Sequence, residues 1–494
     1  MHNAEYYRSV SSDIKFPFGN FINGEFVAAA SGKTVATINP ATKEKITDIS
    51  SSSEDDVNRA VQCAKDALKK GVWSDLHPSK RKEILVRFAQ LINEHTLELA
   101  ILESLDSGKP ISDCLNVDVP ETARCIAWHA EAQDKLFDQL APNDSSAVGM
   151  IVREPIGVVG VVLPWNFPLL MAAWKLGPAL ATGNSVVVKP SEMTSLSTLK
   201  LAELGHEAGI PAGVLNVVTG SGRVVGHTLG MHDDVDGISF TGSTFTGRKF
   251  LEYSAQSNMK RIVLETGGKS PCVIFDDADL EKAAEQIAYS FLGNMGQTCT
   301  ANTRLIVHSS QKDALLDLLK KECDNWAIGN PLDPDTCLGP LVSESHFNKV
   351  RELIQQGQDE GAKVIYGNEE ISSNGYFLKP VIFDEVTPEM VIGREEVFGP
   401  VLTVFTFETE EEAITLANDT EYGLAASVFT KDLARTHRVS RQIQAGTVSV
   451  NCYSEGDITT PFGGYKLSGF GGKDNGIDAH DQYSEKKTIW IDLT

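Results

Sequence analysis

Positive charge is scarce in this chain: 44 lysines and arginines face 67 aspartates and glutamates, a formal net charge of −23. Such a surface repels nucleic-acid phosphates and anionic membranes, so neither is expected as a partner. Long apolar runs are also missing, and none approaches the roughly 20 residues that cross a bilayer as a helix. The opening segment, MHNAEYYRSVSSDIKF, lacks a basic patch followed by an apolar core, so no secretory leader is expected. The eight cysteines form no spaced framework and no close metal-ligand pattern. That scatter argues against a stapled secreted fold and for a reducing, cytoplasmic setting, with no metal site expected. The usual three-glycine dinucleotide fingerprint is absent as well.

What remains is an ordinary globular composition, 41% hydrophobic and 22% charged, in a chain of 494 residues. That length accommodates two or three domains with sizeable cores. Phe21–Val27 with Ala28–Gly32 reads as a hairpin. Apolar residues at helical spacing predict helices over Glu54–Lys70 and Lys80–Ser104, and a longer one covers about Asp118–Leu136. Ser52 or Ser53 is placed to cap the first, with Asp55 and Asp56 at its positive end. From Val148 onward short β-branched runs alternate with helices, beginning with Gly157–Leu163 and Ser185–Val188. A second alternating series starts near Cys272 and ends at Thr447–Val450. The expected class is α/β: two doubly wound open sheets. The closing strand Lys487–Leu493 is apolar enough to aggregate unless another strand covers it, which favours a homo-oligomer.

Four short stretches carry candidate chemistry. Gly293–Thr300 (GNMGQTCT) holds Cys299 among small and apolar residues with no second cysteine nearby, so the thiol is either inert or a nucleophile. Pro164–Pro168 (PWNFP), Leu264–Ser270 (LETGGKS) and Glu395–Pro400 (EEVFGP) are the others. Taken alone, Asn166 reads as a turn former in a Pro-flanked loop, and Glu265 equally as a general base or as a helix-cap or strand-end carboxylate. Phe240–Ser243 followed by Gly247 places backbone N–H groups at a strand-to-helix junction, where a pyrophosphate can bind.

In order and spacing these stretches resemble the NAD(P)-dependent aldehyde dehydrogenase superfamily, from about Phe21 to Leu493. The resemblance implies Cys299 as nucleophile and Glu265 as general base. It places an oxyanion between the Asn166 amide and the Cys299 N–H, with Lys175 and Glu485 as a proton-relay pair. It implies NAD as cofactor, held by Trp165, Lys189, Glu192, Gly242, Ser243, Gly268, Glu396 and Phe398. Thr266 departs from the Leu or Ala common there, and the Ser468–Gly476 loop departs from the usual pattern. The resemblance further implies a cofactor-binding domain (1–137 and 157–265), a catalytic domain (266–466) and a small β oligomerisation arm (138–156 and 467–494) in a dimer or tetramer.

Within the superfamily, the Asn451–Lys466 segment and the ending KTIWIDL are most similar to enzymes acting on γ-glutamyl-γ-aminobutyraldehyde and guanidinobutyraldehyde. The implied substrate is an ω-amino- or γ-glutamylamino-aldehyde of polyamine catabolism, with Asp118, Glu121, Glu455 and Asp457 as amine-binding acids. Asp118 and Glu121, three apart on a helix, also fit a solvated acidic face. A broad-range aliphatic, semialdehyde or betaine-type aldehyde dehydrogenase is the alternative. A CoA-acylating enzyme is disfavoured by Glu265, and a thiol hydrolase lacks a histidine base in these motifs.

Overall fold

The computed structural model describes residues 2–494. Its first sheet has eight strands. Five central ones are parallel, in the spatial order Arg261–Thr266, Gly237–Gly242, Val158–Val162, Ser185–Lys189 and Leu215–Val217. Val158–Val162 and Ser185–Lys189 are buried along their whole length, as β-branched strands covered on both faces must be. The Asn20–Ile22 and Glu25–Val27 hairpin closes one edge. Gly469–Phe470 closes the other, antiparallel to Leu264–Glu265. Strand order reverses between Val158–Val162 and Gly237–Gly242. In open α/β sheets such a reversal opens a crevice at the carboxyl ends of the strands.

The second sheet has seven strands, with Pro271–Ile274 between Arg304–His308 and Ala425–Phe429. All its pairings are parallel except that of Lys363–Tyr366 with Val381–Asp384. A third, three-stranded sheet pairs Ala147–Pro155 with both Gln139–Ala141 and Ser484–Asp492. The α/β class with two open sheets and a small β arm is therefore the architecture. The segment 467–494 divides its allegiance, because Gly469–Phe470 belongs to the first sheet and Ser484–Asp492 to the arm.

Two helix expectations change in detail. The helix foreseen over Lys80–Ser104 is two, Pro78–Glu94 and Thr96–Ser107, broken at His95. The Thr96 hydroxyl donates to the Asn93 carbonyl at 2.7 Å, offering the backbone a side-chain partner where the helix would continue. The second piece ends at Gly108, whose φ of +79° makes the left-handed cap that suits glycine. The helix expected near Asp118 is entered through a wider turn at Cys114–Asp118 and runs over Val119–Ala132. Ser53 and Asp56 form a capping box at the start of Glu54–Lys69, as the sequence around Ser53 suggested.

Candidate active site

The carboxyl ends of the first sheet open into a cavity of about 670 Å³ that continues to the Cys299 loop. Cys299 is delivered by a strained turn. Asn294 and Met295 are both left-handed, with φ of +49° and +57°, a costly choice for two consecutive non-glycine residues. Gly296 follows at φ +69°, where a Cβ would lie 2.3 Å from the Gly399 carbonyl oxygen. Side-chain amides hold this turn against the Pro164–Pro168 loop. Asn166 Nδ2 donates to the Gln297 carbonyl at 2.9 Å, and Asn294 Nδ2 donates to the Asn166 carbonyl at 2.9 Å. Asn166, Glu265 and Cys299 thus line one end of a single cavity.

Glu265 stands at the end of its strand, in register with Thr241, and is 3% exposed. Its carboxylate faces the Cys299 thiol and the Thr241 hydroxyl. Burial raises its pKa to about 7, against the pull of the Lys175 ammonium. Burial, and next the Glu265 carboxylate, push the half-buried Cys299 thiol well above its usual range. Thr266, the departure beside the base, turns its hydroxyl away to the Leu467 carbonyl.

Lys175 and Glu485 do not meet. Glu485 lies on the solvent face of the closing strand and pairs with Arg261 at 2.6 Å. The buried partner of Lys175 is Asp474, at 2.8 Å with side chains 0% and 2% exposed. Asp474 lies in the Ser468–Gly476 loop, which sequence reasoning passed over. Glu485 stands on a strand exposed along most of its length, whereas the loop holds Asp474 in the interior.

The other end of the cavity fits a dinucleotide. Gly242 ends a strand and Ser243 caps the helix Thr244–Gln256, leaving first-turn N–H groups suited to an anion. Thr241, on the cavity wall, has a buried hydroxyl without a partner. Lys189 and Glu192 form a 2.9 Å ion pair at the rim of that wall. Glu396 accepts the Gly268 N–H at 2.9 Å, and a Cβ on Gly267 would fall 2.1 Å from its Oε2, so glycine is required for this approach. A Cβ on Gly268 would fall 2.8 Å from the Cys299 carbonyl. Trp165 packs edge-on to Phe398 at 5.2 Å. His346, not singled out in the sequence, completes that cluster through a 2.7 Å contact of Nε2 with the Phe398 carbonyl.

The four acids expected to bind an amine fare differently. Asp118 is fully buried and paired with Lys109 at 2.7 Å. Glu121 and Asp457 both pair with Arg124, at the surface. Asp118 is thus held by Lys109, while Glu121 and Asp457 share Arg124. Glu455 alone lines the cavity, where it accepts the Thr300 hydroxyl, which also meets the Tyr453 hydroxyl.

Removing the Glu265 charge lowers the Cys299 pKa. In the cofactor-free protein, Glu265→Gln is expected to speed Cys299 alkylation by iodoacetamide at pH 8 by at least about threefold, as the thiolate fraction rises. Mass-spectrometric labelling rates across pH check this, and an unchanged rate would deny electrostatic contact between the two groups.

Comparisons with known proteins agree with this geometry. A family model described as "Aldehyde dehydrogenase family" matches residues 26–489. The chain is 52% identical to aminoacetaldehyde dehydrogenase of Pseudomonas aeruginosa over 493 residues, covering 100% of this chain and 99% of that one. Among solved structures, P. syringae AldA indole-3-acetaldehyde dehydrogenase in complex with NAD+ and IAA superposes with TM-score 0.98 at 47% identity, covering 100% of both chains. The γ-glutamyl-γ-aminobutyraldehyde dehydrogenase of Burkholderia cenocepacia J2315 gives TM-score 0.98 at 45% identity over 100% of both.

Proposed function

The chain belongs to the aldehyde dehydrogenase family, and from that premise we propose NAD-dependent oxidation of a small ω-amino- or γ-glutamylamino-aldehyde to its carboxylic acid. The observation that carries the reading is the meeting of Cys299, Asn166 and Glu265 at one end of a cavity whose other end suits a dinucleotide. With its proton released to solvent, the Cys299 sulfur adds to the aldehyde carbon, and the resulting oxyanion is met by the Asn166 amide and the Cys299 N–H. Gly242–Ser243, Lys189, Glu192 and Glu396 would hold NAD, which would supply the hydride acceptor for oxidation of the thiohemiacetal to a thioester. Glu265 then takes a proton from water as it attacks the thioester carbonyl, releasing the acid and restoring the thiol. Lys175, neutralised by Asp474, keeps a compensated charge beside the base.

Acylation needs Cys299 and hydrolysis needs Glu265. Glu265→Gln is therefore expected to release about one equivalent of NADH per site and then stall with the acyl group on Cys299. Intact-mass measurement reads the adduct; an unmodified protein with normal turnover would sink the assignment.

Cofactor choice rests on Glu192, whose carboxylate accepts a ribose hydroxyl and repels a 2′-phosphate. NAD is expected to be preferred, and Glu192→Gln should improve kcat/KM for NADP by about tenfold, the size of a lost unfavourable contact of roughly 1.4 kcal/mol. An unchanged ratio would remove Glu192 from cofactor selection.

The substrate reading rests on relatives that act on aminoacetaldehyde and γ-glutamyl-γ-aminobutyraldehyde and on Glu455, the half-buried acid in the cavity wall. Pairing of Asp118, Glu121 and Asp457 favours a second reading, a broad-range aldehyde dehydrogenase. A panel of aminoacetaldehyde, 4-aminobutanal, γ-glutamyl-aminobutanal and hexanal decides between them by kcat/KM. The amino compounds should lead, and Glu455→Gln should cut their advantage by about tenfold; a lead for hexanal supports the broad-range reading.

The domain division is proposed as the sequence suggested it: cofactor binding by 1–137 and 157–265, catalysis by 266–466, and an arm from 138–156 and 467–494. A cytoplasmic homo-oligomer, dimer or tetramer, is also proposed. Exposed Leu140 and Trp490 on the arm support it, since apolar strands in that position want a covering partner. No helix among the described residues is long and apolar enough to cross a membrane.

A further inference from the structure

Behind the cavity wall lies a buried charged cluster that the proposed chemistry does not use. Glu103, Lys109 and Asp118 are each at most 1% exposed. Lys109 Nζ donates to Asp118 Oδ1 at 2.7 Å and lies 3.9 Å from Glu103 Oε1. The same ammonium sits 3.7 Å from the centroid of the Phe167 ring, within cation–π range. The second Glu103 oxygen accepts the Leu169 N–H at 3.2 Å and the Ser197 hydroxyl at 3.0 Å. Phe167 and Leu169 flank the start of the Pro168–Ala181 helix, and Phe167 directly follows Asn166. A buried ion pair adds little stability over a well-packed apolar pair. What this one supplies is direction.

We propose that Lys109 is a positioning residue: anchored by Asp118, it pins the Phe167 ring while Glu103 holds the Leu169 N–H, and together they aim the Asn166 amide toward Cys299. The Asn294 and Gln297 hydrogen bonds hold Asn166 from the Cys299 side, and the Lys109 cluster holds it from behind. Burial alone would pull the Lys109 ammonium down, but Asp118 and then Glu103 outweigh it, so the cation persists. The inference rests on the proposed reading of Asn166 as an oxyanion donor.

The paired variant Lys109→Met with Asp118→Asn removes both charges of that pair, and Glu103, already raised to about 8 by burial, takes up a proton once the ammonium is gone. It is measured in the otherwise intact enzyme and in Asn166→Ala, by kcat, aldehyde KM, NAD binding and melting temperature. In the intact background kcat should fall roughly tenfold or more, as small misplacements of a reacting group do. Aldehyde KM and NAD affinity should change little. In Asn166→Ala the further loss should shrink below about twofold, because groups acting through one residue are not additive. Equal losses in both backgrounds, or no loss, overturn the proposal. Full activity of Asn166→Ala alone would instead overturn the oxyanion reading, so the two failures are distinct. Should the paired variant not fold, Phe167→Leu and Phe167→Tyr replace it. The leucine variant should lose kcat while tyrosine, which keeps the ring face, retains it; equal behaviour overturns the role of the ring.

Discussion

The site depends on one costly placement: a carboxylate, Glu265, buried at the end of its strand beside the Cys299 thiol. Fixed donors around it would hold its pKa low and make it a poor base, whereas burial alone would leave it protonated at neutral pH. The structure sits between these limits. Lys175 brings a positive charge into the same interior, and Asp474 takes most of that charge for itself. Glu265 is left with a pKa of about 7, the range in which a base both stays ionised and still wants a proton.

A base of this kind is useful only if the sulfur is held opposite it, and that task falls to backbone geometry. The two sheets contribute from different sides: the first ends its parallel strands at the cavity, and the turn before the second sheet's Arg304–His308 strand carries Cys299. Left-handed Asn294 and Met295 store strain of about 1–3 kcal/mol each. Interlocking amides of Asn166, Asn294 and Gln297 offset it, so the bonds that stabilise the turn also fix the spacing between the amide and the sulfur.

Much of this was legible in the chain. Continuous β-branched runs such as Val158–Val162 mark strands buried on both faces, and the motif residues lie where those strands end, so sheets and contiguous site loops follow from local pattern. Partnership across long separations does not. Lys175 and Asp474 are 299 positions apart, and no spacing rule selects Asp474 over Glu485. Glu485 instead pairs with Arg261 on a strand exposed along most of its length, which only the folded chain reveals. The pairings of Asp118, Glu121 and Asp457 are hidden for the same reason: Lys109 lies nearby in sequence but meets Asp118 only through the Cys114–Asp118 turn, and Arg124 meets Asp457 across 333 positions. His95 broke a helix because a neighbouring hydroxyl, invisible to hydrophobic periodicity, took a backbone carbonyl.

This pattern of compensation determines where selectivity for an amino substrate can arise. The net charge of −23 is a property of the whole surface, and at physiological salt exposed charges farther apart than about 8 Å are largely screened. Acids at the rim are occupied by Arg124, so an arriving cation would have to displace a guanidinium in water, where such pairs are worth little. Glu455 differs on both counts: it faces the cavity, and it bonds Thr300, the residue next to Cys299. A carboxylate that close to the reacting sulfur reaches the amine of a short aminoaldehyde while the carbonyl is engaged. Under the proposed function, Glu455 is thus the one of the four candidate acids through which the cavity would read an amino group.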